Sequence, residues 1–160
     1  MAENILDILT RQHNEVLSGL SELFQKQTAS KRGSRNEEYE RVQSAFFKHA
    51  YGEEQVFYPK LRESMPYIIQ QAVDEHTTVK NLMRELSSQW FEEGEWRSRL
   101  QLIRTDILSH VNLEENQIFP EARSRFSEQE LETMGRNFLD AEQRAAAEGA
   151  AAPSTAEASR

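Results

Sequence analysis

The chain has 160 residues, 38% of them hydrophobic, which is enough for one domain with a modest core and too little for two. A formal net charge of −8, with acidic residues spread throughout, argues against a phosphate-tracking nucleic-acid surface. There is no cysteine, so disulfides, thiolate zinc sites, iron-sulfur clusters held by this chain and thiol nucleophiles are all excluded, and four histidines are the soft ligands that remain.

The start, MAENILDILTRQHNEV, mixes charge with apolar residues every third or fourth position. It reads as neither a signal peptide nor a membrane span, and a cytoplasmic protein is expected. Ile5, Leu9, His13, Val16, Leu20 and Phe24 predict a first helix with a histidine on its apolar stripe. The polar, basic stretch TASKRGSRN at 28–36 reads as a loop. A second helix is predicted from about Glu37 to about Tyr58, its stripe formed by Tyr39, Val42, Phe46, His49, Glu53 and Val56, before Pro59 interrupts or redirects it. After Pro66, a favourable first-turn residue, Ile69, Val73, His76, Val79, Met83, Leu86 and Trp90 give a third stripe that ends near EEGE. The fourth comprises Trp96, Leu100, Ile103, Ile107, His110, Glu114 and Ile118, ending at Pro120. SEQE at 127–130 is a capping-box pattern opening a short helix through Leu131, Met134 and Phe138. The alanine-rich end offers no aromatic or branched anchor. The expectation is an all-α, up-and-down antiparallel four-helix bundle with a short additional C-terminal helix over 1–145, and a disordered tail over 146–160.

Two stretches share a frame: HAYGEEQVFYP at 49–59 and HVNLEENQIFP at 110–120, each with a histidine, Glu-Glu four and five residues on, and a proline ten residues on. At about 1.5 Å per residue, His13 lies roughly 21 Å before the end of its helix and His49 roughly 18 Å after the start of the next. The same estimate puts His76 and His110 close to 21 Å from their shared turn. All four imidazoles therefore fall in one layer. Glu53 and Glu114, each four residues past a histidine, are turned only about 40° from it and face inward as well. The offsets from His13 to His76 and from His49 to His110 suggest two helical hairpins related by a pseudo-twofold axis. Imidazoles and carboxylates from both hairpins around a common centre make a dinuclear metal site, suited to iron, manganese or zinc in that order. Glu54 and Glu115, about 100° further round, read as solvated-face residues. Tyr51, Phe57, Tyr58, Trp90 and Phe119 read as core packing.

These residues resemble the hemerythrin-like domains, named HHE after their His-His-Glu cation-binding pattern, over about residues 3–122. The resemblance implies two iron ions with an oxo or hydroxo bridge. His13 and His49 would hold one, His76 and His110 the other, with Glu53 and Glu114 bridging. Two departures stand out. Oxygen-carrying members have a fifth histidine where this chain has Lys80, and an aspartate five residues after the last histidine where this chain has Glu114 after four. The set is more similar to HHE domains linked with oxygen or iron sensing, with nitric oxide and peroxide chemistry and oxidative stress, or with repair of iron centres. The repair members usually carry an added cysteine-containing segment, which these residues lack. The expected partner is a small diatomic or peroxide, with neither nucleic acid nor membrane, and no protein partner is indicated. A di-iron protein reacting with such a ligand, with turnover as an oxidoreductase one outcome, stands beside an iron or redox sensor and a metal-free helical module. The last would have no need of inward glutamates.

Overall fold

The computed structural model describes residues 2–25 and 32–158, and the side chains of 2–25 and 37–146. Among the described residues seven α-helices follow in order: α1 Ile5–Gln25, α2 Arg32–Gly52, α3 Tyr58–Leu61, α4 Pro66–Ser88, α5 Glu93–Leu113, α6 Phe119–Arg125 and α7 Glu128–Ala158. Between α2 and α3, and between α5 and α6, the chain stays helical through one wide π turn each, Glu53–Phe57 and Glu114–Ile118. Among the described residues there is no strand.

α1 opens on an N-cap in which Asn4 Oδ1 accepts from the Asp7 amide at 2.9 Å, satisfying one of the first-turn donors. The capping box forms as expected: Ser127 N donates to Glu130 Oε1 at 2.9 Å, and Glu130 N donates to Ser127 Oγ at 3.1 Å. α2 begins at Arg32, five residues before the expected start, so the part of the predicted loop from 32 onward is helical, and 28–31 lie outside the described residues.

At Pro59, expected to interrupt or redirect the second helix, the chain stays helical through a π turn that absorbs the proline. Proline has no amide hydrogen and its ring clashes with the carbonyl four residues back. Tyr58 N reaches back five residues to Glu53 O, and Phe119 N likewise to Glu114 O, so each proline follows a turn already widened by one residue. The inserted residue rotates everything after it. Phe57, Tyr58 and Leu61 are buried, whereas Val56, expected on the stripe, is only partly so.

α1, α2, α4 and α5 form the four sides of the bundle, each packed on the next, with α7 laid against α1 and α2 as a fifth helix. α7 is far longer than the short helix expected, and its assignment runs over much of 146–160. The disordered tail expected over 146–160 falls where the side chains from 147 onward, and all of 159 and 160, lie outside the described residues. Trp90 corrects another expectation. α4 ends at Ser88 and Gln89 is extended, so the helical period breaks, Phe91 turns into the core and Trp90 is 63% exposed.

The core falls into two apolar clusters. One is built on Ile5, Leu9, Phe57, Leu61, Ile69, Phe119 and Phe138, and the other on Val16, Leu20, Phe46, Met83, Trp96, Leu100 and Ile103. The histidine-bearing turns of α1, α2, α4 and α5 lie between them, so apolar side chains close the polar layer above and below. No helix among the described residues is long and apolar enough to cross a membrane.

Candidate metal centre

His13, His49, His76, His110, Glu53 and Glu114 meet in that layer, each at most 4% exposed. The rings of His13 and His49 lie 4.9 Å apart and those of His76 and His110 4.5 Å apart, forming two pairs. Each glutamate touches one histidine of each pair. Glu53 Oε1 lies 3.0 Å from His49 Nε2 and 3.1 Å from His76 Nε2. Glu114 Oε1 lies 3.0 Å from His13 Nε2 and 3.2 Å from His110 Nε2. The six side chains fall into two potential ligand groups, His13 with His49, Glu53 and Glu114, and His76 with His110 and Glu53.

All four imidazoles point Nε2 inward and are held from behind at Nδ1. His13 Nδ1 lies 3.0 Å from Glu115 Oε2, His76 Nδ1 2.7 Å from Glu54 Oε2, His110 Nδ1 2.8 Å from Glu75 Oε1, and His49 Nδ1 2.8 Å from Gln12 Oε1. A carboxylate or amide oxygen at Nδ1 accepts the ring hydrogen there, leaving the Nε2 lone pair for a metal. Glu54 and Glu115, read from the sequence as solvated-face residues, are thus corrected. A rotation of about 100° carries each to the flank where the neighbouring helix presents a histidine. Lys80, at the position of the absent fifth histidine, points to Glu54, with Nζ 3.8 Å from Oε2.

Sequence reasoning missed Gln12 and Glu75 behind the rings, and it placed Tyr58 in the core rather than at the centre. The Tyr58 hydroxyl donates to Glu114 Oε2 at 2.8 Å and lies 3.4 Å from Glu53 Oε1, 3.3 Å from His76 Nε2 and 3.4 Å from His110 Nε2. In an unbroken α-helix the fifth residue after Glu53 would be about 140° round the axis. The π turn brings it beneath the glutamate instead. The signal available was the proline, which demanded a widened turn in both copies of the frame. The second copy places Phe119 there, and the two aromatics stack across the site, Tyr58 on His76 and Phe119 on His13.

Burial and mutual charge set the protonation of the metal-free cluster. Burial, reinforced by the nearby Glu114 charge, pushes the Glu53 carboxyl well above the usual range. Burial acts the same way on Glu114, but the facing His110 and its hydrogen bonds outweigh it and hold Glu114 well below. His110 is pushed up to about 9, since Glu114 and Glu75 overcome the opposing effect of burial. Burial and the neighbouring His13 drive His49 down, which keeps its ring neutral. Burial raises the Tyr58 phenol and the Glu114 charge adds to it, so the hydroxyl remains a donor. Within the site, Glu53 Oε2 has no hydrogen-bond partner, and His49 Nε2, though 3.0 Å from Glu53 Oε1, makes no hydrogen bond of good geometry. Orphaned lone pairs of nitrogen and oxygen aimed into a dry centre are what a cation satisfies, so the residues fit a metal.

Helical hairpins paired about a dry layer of four imidazoles and two carboxylates define a metal-binding helical bundle. The model of the hemerythrin HHE cation binding domain matches residues 4–122, and the chain belongs to that family. A curated relative, a DNA nickase from Nostoc sp. (strain PCC 7120 / SAG 25.82 / UTEX 2576), is 26% identical over 136 residues, covering 84% of this chain and 38% of that protein. The chain thus spans well under half of that relative's length. A crystal structure of a hemerythrin HHE cation binding domain-containing protein from Mycobacterium kansasii superposes with a TM-score of 0.77 at 18% identity, over 89% of this chain and 86% of that one, a likeness of fold.

Proposed function

We propose that the chain is a non-haem di-iron protein that binds or reacts with a small ligand, dioxygen, nitric oxide or peroxide. In this reading His13 and His49 would hold one iron and His76 and His110 the other, with Glu53 and Glu114 shared between them. The observation that carries it is that each of the two buried glutamates touches one histidine from each pair. The bound pair would supply two reducing equivalents and an open position for a small molecule. The chain's own residues do the rest. Glu54, Glu75, Glu115 and Gln12 hold the four rings so that Nε2 faces the centre. The apolar clusters exclude water, and the Tyr58 hydroxyl is a hydrogen-bond donor at the centre that is not itself among the six expected ligands. Nitrogen and oxygen donors without sulfur suit iron, with manganese and zinc as competitors.

A second reading, iron or redox sensing or other iron handling, draws on what the layer would cost without a cation. Without a cation, two carboxylates and four imidazoles face one another in a dry core, so folding and metal occupancy are coupled. The activity named for the Nostoc relative is not carried over, because a net charge of −8 weighs against a phosphate-tracking surface. The test is anaerobic loading with ferrous iron, desalting and an iron count. About two irons per chain, with near-ultraviolet charge-transfer absorption, are expected, and a chain that retains none overturns the proposal. Repeated consumption of peroxide or oxygen marks an enzyme, and a single stoichiometric reaction marks a sensor.

A further inference from the structure

The pseudo-twofold symmetry of the site fails in one region, and α7 lies there. His76 with Glu54 is matched by His13 with Glu115. His110 is held by Glu75, the residue before His76, and His49 is held by Gln12, the residue before His13. Three of the four rings therefore back onto a carboxylate and the fourth onto an amide. The missing carboxylate is one step further out, on α7: Gln12 Nε2 donates to Glu142 Oε1 at 2.9 Å.

The repeated frame breaks at the same place. Gly52 stands where the second copy has Leu113, and a Cβ on Gly52 would sit 2.5 Å from Phe138 Cε1 of α7. The fully buried Phe138 ring occupies that notch, 6.2 Å from the His49 ring. α7, which begins at Glu128, lies wholly beyond the matched stretch 4–122, yet it is seated against one ligand helix and tied to another.

An amide differs from a carboxylate in a way that matters here. A carboxylate can only accept from Nδ1–H, whereas a glutamine amide presents an acceptor on one side and a donor on the other. Turned over, Gln12 would offer its NH2 to Nδ1, select the ring with hydrogen on Nε2 and close that nitrogen to a metal. Glu142 prevents this, because it accepts only and so holds the NH2 of Gln12 toward itself. We infer that Glu142 is a positioning residue of the metal centre, locking the Gln12 amide and thereby the His49 tautomer that presents a bare Nε2. The inference rests on the di-iron reading for its purpose, but the lock itself belongs to the metal-free chain.

Long-range proton–nitrogen NMR on the metal-free full chain reads the ring tautomers directly, and four histidines keep the assignment simple. The unsubstituted chain should show His49 with hydrogen on Nδ1 alone. Glu142→Ala should give a mixture at His49 with the other three rings unchanged, and Glu142→Gln, which keeps the shape but can turn its own NH2 to the Gln12 oxygen, should give a mixture as well. In the iron-loaded chain, Glu142→Ala should weaken one of the two irons about 10- to 100-fold against a chelator while the other holds. Glu142→Gln should weaken the same iron. A single Nδ1–H form in Glu142→Ala or in Glu142→Gln, or equal weakening of both irons, overturns the inference. Failure of the parent chain to take up iron sinks the di-iron reading instead, and the tautomers still decide the lock.

Discussion

A carboxylate four residues past a helical histidine is its neighbour on the same face, whereas the next residue lies on the flank, and the site uses both positions. Glu53 and Glu114 touch Nε2 atoms from both histidine pairs, so Glu53→Ala or Glu114→Ala should lower bound iron to one or none per chain, read by metal analysis after desalting. Glu54 and Glu115 touch only Nδ1, and substituting alanine there should leave two irons, held about 10- to 100-fold less tightly. Loss of both irons in Glu115→Ala with two retained in Glu114→Ala would place the ligand register one residue out. Tyr58→Phe tests the hydroxyl. It strips Glu114 Oε2 of a 2.8 Å donor inside a dry core, so the metal-free chain should lose about 1–3 kcal/mol in urea unfolding.

At the scale of helices, the two π turns and the Gly52 notch are the departures from regular packing that bear on the site. Gly52→Ala would gain about 1 kcal/mol of helix propensity, but its methyl would meet the fully buried Phe138 ring. Overpacking of that kind costs typically about 1–3 kcal/mol, so a net loss of stability is expected in thermal melts. At the equivalent position of the second frame the demand is reversed, since Leu113 is buried in the apolar cluster beside the site. Leu113→Ala leaves a cavity there and should cost about 2–5 kcal/mol. The helical stripes themselves were legible in the sequence. Ile5, Leu9, Val16 and Leu20 on α1, and the whole run from Trp96 to Ile118, are buried as their spacing requires. Val56 and Trp90 departed from the pattern for one reason, that a constant period holds only while the helix is unbroken. Val56 lies inside the π turn Glu53–Phe57, and the end of α4 precedes Trp90.

For the molecule as a whole, the polar layer couples the bundle to its cation. Iron removal should lower the melting temperature, and a free metal concentration a thousand times its dissociation constant adds about 4 kcal/mol to the loaded form. Equal melting by calorimetry with and without iron would count against a buried dinuclear site. The six inward side chains were determined by the sequence alone, because position on a helix stripe and depth along a hairpin follow from fixed rise and rotation per residue. What lies behind the rings was not, because Nδ1 of each histidine is met from a different helix, and such contacts depend on how helices are rotated against one another. The phenol of Tyr58 entered the centre through a turn widened by one residue. The carboxylate behind Gln12 came from α7, which is 130 positions away along the chain and is brought there by its packing on α1 and α2, the close seat of Phe138 over Gly52 included.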